Sequence, residues 1–540
     1  MKKTLLLMFL LIGLLILVEL FTVRSTQPAL AAAPAPTLLA DASSRRALEQ
    51  CRASPDLCRA RGPSQPCFRT LAQAMENSGH THCAWASRSH VRRCEIQAQI
   101  GAVGAPTIIF KNPSLDARAV PTYTLVSATF DQDMNPSTIN SSTFFVTQGS
   151  NSVSGSIRYI TISRVAAFYP SASLVANTMY TATVTTGVQN LAGTPLVGNV
   201  VWSFTTTEGT SPVGNGMNIY FGDLHSHSSY SDGQGTPADA FATARANGLD
   251  FFALTDHSSA LDSTEWQDAL TQANTATVNG AFVGLRGFEY SHANGHINVF
   301  ETDTFVSETD PNYNTLNKFY AWLAAQPNAI GQFNHPYKTE SYNWNFNDFA
   351  FNAAAAQRMY LRETPGYPAD QYLLSLNAGW HLGAVDNSDT HQANWGRWRW
   401  MGVVAPSLTK DGMLEALRAR RTFSTDNRNF AVSMQANGYW MGSSIPNAPT
   451  IHFTVTTYEP NPTEPLLALV LYDNGDPITG TLVLASPVLC AWTPSVAGSP
   501  GHFYYAKAYH DSDGFAIAYT SPVWMLPTWN LYLPTILRGD

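Results

Sequence analysis

The architecture of the chain can be worked out from the stretch Asn218-Ile-Tyr-Phe-Gly-Asp-Leu-His-Ser-His-Ser-Ser-Tyr-Ser-Asp-Gly233. An apolar run leads into an Asp-x-His-x-His sequence, the pattern of a buried strand that ends at a polar site. Side chains two positions apart on a strand point to the same face, so His225 and His227 can bind one ion. Asp232 follows in a Tyr-Ser-Asp-Gly turn, which can fold its carboxylate back over the strand end.

Helices and strands alternate after this stretch. Thr236-Pro237 provides an N-cap followed by proline at the first helical position, and Asn247-Gly248 ends that helix. The run 249–255 predicts a buried strand, and Asp262-x-x-Glu265 is a capping box that begins the next helix. A further strand is predicted over 281–288. The alternation indicates βα units and a mostly parallel sheet.

Residue types that bind metals recur where the later apolar runs end. They are His257, Glu289, His296, His335, Asp389 and His391. Taken singly, each of them is more often a hydrogen-bonded surface group than a ligand. In a barrel of parallel strands, however, the carboxyl ends form one rim and the first and last strands are neighbours. Together with the first three candidates they predict one metal site, and mixed carboxylates and imidazoles suit Zn²⁺, Mn²⁺ or Fe²⁺ better than Ca²⁺. The last helix of this region is predicted over 414–421.

The motifs of residues 219–426 resemble those of the PHP (polymerase and histidinol phosphatase) superfamily of metallohydrolases. The matching segments are GDLHSHSSYSDG, ALTDH, GFEY, GHINVF, FNHP and NSDTH. Within the superfamily, GHINVF and the later Arg420-Arg-Thr-Phe-Ser424 are similar to the carbaryl-hydrolase-like branch. The resemblance implies a distorted (β/α)7 barrel that binds two or three divalent cations.

The same resemblance assigns ligands to each cation. The first would be held by His225, His227, Glu289 and Asp389, the second by the bridging Glu289 with His296 and His335, and the third by Asp232, His257 and His391. His292 lies close to His296 and is the alternative ligand at that position. Glu289, Asp389 and His391 are the residues predicted to be catalytic.

Metal-assisted hydrolysis is the activity that the resemblance implies. A water or hydroxide between two ions would attack the substrate, so the reaction needs no Ser or Cys nucleophile. The superfamily favours a phosphoesterase, whereas the closer branch leaves open a carboxylic or carbamic ester or amide hydrolase. A catalytically inactive cell-surface binding or adhesion protein is the alternative from another class. The expected substrate is a small-molecule or polymer-borne ester.

Two positions near the predicted ligands are candidates for substrate contact. Lys338 follows His335 by three residues and could meet an anionic substrate, although a solvated surface lysine is the commoner case. In Asn394-Trp-Gly-Arg-Trp-Arg-Trp400, Arg397 and its neighbouring tryptophans could line the pocket. A strand with one buried face fits the same pattern equally well, and both interpretations stay open.

All-β sequence flanks the central region. In residues 105–207, short runs rich in Thr, Val, Tyr and Phe are separated by Gly, Asn, Ser and Pro, as in a sandwich. Phe130-Asp-Gln-Asp-Met134 and Trp202-Ser-Phe-Thr-Thr206 resemble the bacterial Ig-like domains of S-layer and cell-surface proteins. A multidomain chain is therefore predicted, with a linker over 208–216, the PHP metallohydrolase domain over 217–430, a C-terminal β-sandwich over 431–525 and a tail over 526–540.

The N-terminal residues indicate export. Residues 1–31 have the form of a secretory signal peptide, with Lys2 and Lys3 before an apolar run and Ala29-Leu-Ala31 as the cleavage site. An uncleaved membrane anchor is the alternative. Five of the six cysteines lie in a predicted cap of residues 32–104; they are Cys51, Cys58, Cys67, Cys83 and Cys94. Their spacings match no zinc-binding pattern, so two disulfides of undetermined pairing are predicted for a secreted or cell-surface protein.

The charge pattern excludes one class of partner. The chain has 31 Lys and Arg against 39 Asp and Glu, a formal net charge of −8, and no block of basic residues. A protein that binds a phosphate backbone needs a basic surface, so no nucleic acid is expected. Association with a cell surface or cell wall through the β-sandwich domains is predicted, and the oligomeric state is left open.

Overall fold

The structure, a computed structural model, describes residues 104–207, 216–338, 343–364, 369–428, 430–459, 466–482, 489–510 and 516–527. The predicted signal peptide, the cysteine-containing cap with its disulfides, residues 208–215 of the linker and the tail beyond 527 lie outside these residues. None of the described helices has the length and apolar composition of a membrane-spanning segment.

Two β-sheets pack face to face in the first part of the described chain. Their strands are β1 (Ile108–Asn112), β2 (Ala117–Val120), β3 (Val126–Phe130), β4 (Phe144–Gln148), β5 (Asn151–Ser152), β6 (Gly155–Ile160), β7 (Val165–Pro170), β8 (Met179–Val184) and β9 (Val200–Thr206). The sheet orders are β1-β3-β7-β6 and β2-β9-β8-β4-β5. Tyr180, Ala182 and Val184 alternate inward along β8 and join Phe144 and Trp202 in the core. This is the predicted Ig-like β-sandwich.

A mostly parallel sheet follows and forms the barrel. Its strands are β10 (Asn218–Asp223), β11 (Phe251–Leu254), β12 (Val283–His292), β13 (Gly295–Phe300), β14 (Ile330–Phe333), β17 (Met359–Glu363), β18 (Gly383–Val385), β19 (Trp400–Ala405) and β20 (Thr422–Thr425), with a small hairpin of β15 (Tyr337–Lys338) and β16 (Asn343–Trp344) beside them. The order is β18-β17-β14-β13-β12-β11-β10-β19-β20. Strand β13 runs antiparallel to both of its neighbours, and β19 runs antiparallel to β10. These two reversals distort the barrel.

Strands β10 and β18, the first and last of the parallel βα units, do not pair with each other directly; they approach only through the segments that follow them. Strand β10 pairs with β11 and β19, whereas β18 pairs with β17. The segments after β10 and β18 then come together, because Ser226 and Thr390 form an isolated parallel bridge and Asp389 N donates to His225 O at 2.9 Å. The predicted neighbourhood of the first and last strands is thus realised at the rim where the candidate ligands lie.

Five helices of nine or more residues lie in the described part of the chain. They are α1 (Pro237–Ala246), α2 (Ser263–Ala276), α3 (Leu316–Ala324), α4 (Ala369–Asn377) and α5 (Lys410–Arg418). Capping boxes at Thr236 with Asp239 and at Asp262 with Glu265 start α1 and α2. The helix predicted over 414–421 is displaced: it starts earlier because the Thr409 hydroxyl caps Gly412 N, and it ends before Arg420, whose φ is +55°.

The C-terminal part is β-rich and shares a sheet with the barrel. Its strands are β21 (Ala431–Ala436), β22 (Tyr439–Trp440), β23 (Ser444–Ile445), β24 (Thr450–Tyr458), β25 (Leu466–Asp473), β26 (Asp476–Leu482), β27 (Leu489–Trp492), β28 (Ser495–Ala497), β29 (Phe503–His510), β30 (Ala516–Thr520) and β31 (Val523–Met525). Strand β30 pairs antiparallel with β20, so one sheet of this region continues the barrel sheet. The other sheet, β22-β21-β24-β27, covers it over a core that includes Val432, Phe453 and Tyr504.

The three parts of the described chain meet around Asp250, at the amino end of β11. Its carboxyl accepts hydrogen bonds from the Tyr123 hydroxyl of the Ig-like sandwich at 3.1 Å and from Phe221 N at 2.8 Å. Arg428, just before the C-terminal region, donates to the Asn112 side chain at 2.9 Å. A cavity of about 260 Å³ lies at this junction, on the face of the barrel opposite the carboxyl ends of its parallel strands.

Candidate metal centre

Glu289 lies at the centre of the candidate site. It occupies β12, is fully buried, and its Oε1 is surrounded by ring nitrogens of three histidines. His225 Nε2 lies 3.1 Å from this oxygen, His296 Nδ1 3.2 Å and His335 Nε2 3.4 Å. Histidines from three different strands or strand ends therefore converge on one carboxylate oxygen.

The other oxygen of Glu289 faces a second set of histidines. His257 Nδ1 lies 2.9 Å from Oε2 and His227 Nε2 lies 3.6 Å away. Although these nitrogens are near, Oε2 accepts no well-directed hydrogen bond from any described residue. The two oxygens of Glu289 thus belong to two adjoining ligand groups, as expected of a bridging carboxylate.

Asp389, which follows β18 at the other end of the barrel sheet, lies beside His225 and His227. Its Oδ1 lies 3.0 Å from His227 Nε2 and 3.2 Å from His225 Nε2. Asp389 has a φ of +48° and His335 a φ of +26°. Side chains with a Cβ rarely adopt this left-handed backbone, and it concentrates at functional sites where the surrounding structure holds it in place.

Asp232, His257 and His391 form the third group. The Oδ1 atom of Asp232 lies 3.2 Å from His391 Nε2 and 3.5 Å from His257 Nε2. The turn that folds Asp232 back depends on Gly233, because a Cβ at this position would stand 2.6 Å from the carbonyl carbon of His227. The glycine in the motif is therefore required by a close backbone approach.

The structure brings all nine predicted ligands together. The donor atoms form four groups within 4.8 Å, and these are His227–Asp232–His257–His391, His225–His335–Asp389, His225–His227–Glu289 and Glu289–His296–His335. The alternative ligand His292 stands outside these groups; its Nδ1 accepts from Asn294 N and its ring stacks on Tyr290. The Glu289 group contains His296 instead.

Burial is graded across the centre. The side chains of His225, Glu289 and His335 are at most 8% exposed, whereas Asp389 and His391 are 34% and 35% exposed. Asp232 is also about one-third exposed, at 31%. The centre therefore has a closed floor and an open edge, and the open edge is the side that solvent reaches.

The carboxylates at the centre favour bound positive charge. Burial alone raises the pKa of Glu289, but His225 and His296 outweigh it and hold the pKa well below its usual range. Burial likewise opposes ionisation of Asp389, whose pKa is nevertheless depressed by His225 and His227. The hydrogen bond from His391 lowers the pKa of Asp232 to about 2. The centre thus contains ionised carboxylates.

The histidines divide into two kinds. Burial lowers the pKa of His227, so its ring is neutral and able to bind a cation through nitrogen. At His225, burial also disfavours the charge, but Asp389 and Glu289 prevail and the pKa is raised. The pKa of His335 is raised in the same way, mainly by Glu289. The raised pKa values of His225 and His335 mark the positions where bound divalent cations would offset the carboxylate charge.

The donor set fits divalent cations. Imidazole nitrogens and carboxylate oxygens are the ligands preferred by Zn²⁺, Mn²⁺ and Fe²⁺, and one of these oxygens, Glu289 Oε2, is buried without a well-directed hydrogen bond from the described residues. Two of the four groups share Glu289, which is consistent with more than one cation. The clusters are those of a multi-metal site of undefined metal identity.

Sequence reasoning missed the buried polar residues that support these ligands. Glu363 accepts from His225 Nδ1 at 2.9 Å, and Asn334 Nδ2 donates to Glu289 Oε1 at 2.8 Å. Burial raises the pKa of Asp223 to about 7, and its carboxyl accepts from the Ser388 hydroxyl. Glu363 ends the apolar strand β17 and could have been found by the strand-end rule used for Glu289. Asp223 ends β10 and Asn334 directly follows β14, so both also stand at strand ends, but their partners depend on contacts across the barrel.

Of the two residues predicted to contact substrate, only Arg397 has a side chain in the described part of the structure. The Lys338 side chain lies outside the described part of the structure. The Arg397 guanidinium lies 5.5 Å from the ring centre of Phe110 in the Ig-like sandwich and 5.4 Å from that of Trp398. Trp395 is fully buried and donates from Nε1 to His227 O at 3.0 Å. Residues 394–399 form a turn that leads into β19 rather than a strand. Through Trp395, this turn holds the backbone of the candidate ligand His227.

Two protein families match separate parts of the chain. Residues 102–206 match the bacterial Ig-like domain, and residues 223–355 match the PHP domain. The chain therefore carries a PHP domain preceded by a bacterial Ig-like domain, as the motifs predicted. Asp389 and His391 lie beyond the matched PHP range, and the fold brings them to the same centre.

Several solved structures are distantly similar. A two-domain protein from Bacteroides vulgatus that contains a predicted PHP-like metal-dependent phosphoesterase is 18% identical, with 57% of this chain and 98% of that chain covered and a TM-score of 0.35. A protein from Bifidobacterium adolescentis, inferred to be a metal-dependent phosphoesterase, is 15% identical, with coverage of 37% and 96% and a TM-score of 0.24. The N-terminal part of the bacterial S-layer protein SbsC is 14% identical, with coverage of 34% and 40% and a TM-score of 0.20. A comparison with curated proteins finds no match.

Proposed function

We propose that the protein is a metal-dependent phosphoesterase with a two- or three-cation centre at the carboxyl end of its barrel. The observation that carries the proposal is the fully buried Glu289 carboxylate with ring nitrogens of five histidines within 3.6 Å. A carboxylate so placed needs positive charge beside it. The match of residues 223–355 to the PHP domain supports hydrolysis as the chemistry.

The candidate ligands have different roles in the proposed centre. Bound divalent cations would supply Lewis-acid polarisation of a phosphoryl oxygen and activation of a water molecule. Glu289 joins the ligand groups because its two oxygens face different histidines. His225 lies on the closed floor, where it keeps its Nε2 between Glu289 and Asp389. Asp232 and His391 lie on the open edge, where an ester substrate meets the centre.

A substrate panel tests the reaction class. The purified protein, loaded with Mn²⁺ or Zn²⁺, is offered p-nitrophenyl phosphate, bis(p-nitrophenyl) phosphate, an aryl carboxylic ester and an aryl carbamate. Turnover of either phosphate ester is expected. Turnover of the carboxylic or carbamic ester alone favours the activity suggested by the resemblance to the carbaryl-hydrolase-like branch. Cation binding without turnover of any of the four favours an inactive binding protein.

The variant Glu289→Gln tests the bridging role. Glutamine has no negative charge to share between the two ligand groups that contain Glu289. The variant is therefore expected to lower kcat by at least about 100-fold, as removal of a principal charge-stabilising group does elsewhere. Glu301→Gln is the matched control, since Glu301 is a partly buried carboxylate paired with Lys410 at 3.0 Å, away from the centre. Full activity of Glu289→Gln would overturn the assignment.

Export and attachment are a further part of the proposal. We propose that residues 1–31 direct secretion and that the β-sandwich domains associate with the cell surface or cell wall. The signal-peptide pattern and the bacterial Ig-like match support this. Fractionation of the producing cells tests it, because the protein should be recovered from the medium or the envelope and start after residue 31. Recovery in the cytoplasm with an intact N-terminus would contradict it.

A further inference from the structure

Glu363 is a buried carboxylate that contacts two candidate ligands at once. It is the last residue of β17 and is 3% exposed. Its Oε1 lies 2.9 Å from His225 Nδ1 and accepts from Asn387 Nδ2 at 3.1 Å and Gln332 Nε2 at 3.3 Å. Its Oε2 accepts from the backbone N–H of His335 at 2.6 Å. One side chain therefore links the first ligand group to the second.

We propose that Glu363 is a positioning residue of the metal centre that fixes His225 in one tautomer and holds His335 in its left-handed backbone conformation. All of its partners are able to donate, so the carboxylate acts only as an acceptor; with a cation bound in the centre the His225 ring is neutral, and its one proton then stands on Nδ1. The lone pair of Nε2 is then directed at the space between Glu289 Oε1 and Asp389 Oδ1, at 3.1 and 3.2 Å. This is the arrangement in which a metal-binding histidine donates its other N–H to a carboxylate.

The hydrogen bond from the His335 backbone N–H to Glu363 stabilises the backbone conformation of His335. His335 has a φ of +26° and precedes Pro336, and both features restrict its backbone. A short hydrogen bond to a charged oxygen is stronger than one to a neutral acceptor and can hold such a conformation. The His335 ring then stays over Glu289, with Nε2 3.4 Å from Oε1.

An amide in place of the carboxylate breaks one of the two contacts. In Glu363→Gln, the oxygen can face either His225 Nδ1–H or His335 N–H, and the NH₂ group then meets the other donor. Cation affinity of the buried groups is expected to fall about 10- to 100-fold, the usual effect of removing a carboxylate behind a histidine ligand. The group of Asp232, His257 and His391 makes no described contact with Glu363, so its affinity is expected to change less than twofold.

The test measures cation binding rather than turnover, because the inference rests on the metal centre of the proposed function and not on its substrate. Zn²⁺ is titrated into the full chain in competition with a chromogenic chelator, for the natural protein, Glu363→Gln, Glu363→Asp and the control Glu301→Gln. Circular dichroism establishes that each variant is folded. Equal Zn²⁺ affinity in Glu363→Gln and the natural protein would overturn the inference. Zn²⁺ binding without ester turnover would instead contradict only the proposed function.

A second measurement does not depend on the folding of any Glu363 variant. With ¹⁵N-labelled histidine in the Zn²⁺-loaded natural protein, His225 should show a proton on Nδ1 and a Zn²⁺-bound Nε2. Assignment comes from the signal lost in His225→Gln. A proton on Nε2 of His225 would contradict the role of Glu363. Glu363→Asp retains the charge but is too short to reach both partners, so it is expected to fall between Glu363→Gln and the natural protein in Zn²⁺ affinity.

Discussion

The backbone N–H of His227 donates to the carbonyl oxygen of Thr390 at 3.0 Å. This hydrogen bond and the parallel bridge between Ser226 and Thr390 join the segment after β10 to the segment after β18. Since His225 and His227 flank one partner and Asp389 and His391 flank the other, a single backbone contact aligns two pairs of ligands. Their common face follows from the two-residue period of extended chain.

The turn at Gly233 should be intolerant of any side chain. In Gly233→Ala the new Cβ would stand 2.6 Å from the carbonyl carbon of His227, so the turn must shift and carry Asp232 away from His391. We expect the variant to bind one cation fewer, as measured by elemental analysis after chelator-free purification. Gly280→Ala is a suitable control, because a Cβ at this position would have no atom of the described residues within 4 Å apart from its chain neighbours, and any change there reflects its φ of +80°. A full cation complement in Gly233→Ala would show that the turn does not hold Asp232.

Cations should leave the centre in a fixed order. Asp232 and His391 are about one-third exposed, whereas Glu289 and His225 are almost completely buried. A limited amount of a chelator such as EDTA should therefore remove first the cation held at the open edge, and Asp232→Asn should abolish this fast phase while leaving the slower one. Stopped-flow chelation with a coloured metal indicator measures both phases. A single phase in the natural protein would contradict the graded burial.

Trp395 should stabilise the fold through one hydrogen bond as well as its bulk. Its Nε1 donates to His227 O at 3.0 Å from a fully buried position. Trp395→Phe retains an aromatic ring but leaves a buried carbonyl short of a donor, and we expect it to lower the free energy of unfolding by about 1–3 kcal/mol. Trp398→Phe, at a site 56% exposed, should change it by less than about 0.5 kcal/mol. Urea unfolding compares the two, and equal effects would contradict the buried contact.

Asp250 should make stability depend on pH in an unusual direction for a carboxyl group. Burial raises its pKa to about 6, although the hydrogen bond from Phe221 N opposes this. The folded state therefore binds the proton more tightly than the unfolded state, so this group's contribution is complete below about pH 4 and is lost as the pH rises through 6. Asp250→Asn should gain roughly 3 kcal/mol relative to the natural protein between pH 4 and pH 8. Thermal unfolding at both values measures this, and a difference independent of pH would contradict it.

A left-handed turn beside the centre should favour glycine over alanine. The residues Phe346–Phe349 all have φ between +53° and +58°, and Asn347 within this turn is exposed. A left-handed backbone costs a residue with a Cβ about 1–2 kcal/mol, less for asparagine. Both Asn347→Gly and Asn347→Ala lose the hydrogen bond that the Asn347 side chain accepts from Asn294 at 3.1 Å, so Asn347→Gly should be the more stable of the two variants. The order of the two midpoints in urea tests this, and the reverse order would exclude a left-handed turn.

Local features of the sequence accounted for much of the fold. The capping boxes at Thr236 and Asp262 and the apolar runs around β11 and β12 act over a few residues, so they could be recognised without knowing what packs against them. The helix predicted over 414–421 was displaced for a reason that is also local, since the Thr409 cap was overlooked. Likewise, the fold class was confirmed, because family motifs and strand periodicity both pointed to a barrel between β-rich parts.

The supporting contacts could not be obtained in this way. The link from Glu363 to His225 and His335 is not encoded in spacing along the chain. The same holds for Arg397, which lies against Phe110 of the Ig-like sandwich. Strand registers and domain packing set these contacts, and both depend on interactions between residues far apart in sequence. The candidate ligands could thus be recognised from their places at predicted strand ends and from the family motifs, whereas the orientation of their side chains depends on how distant strands align once the barrel is formed.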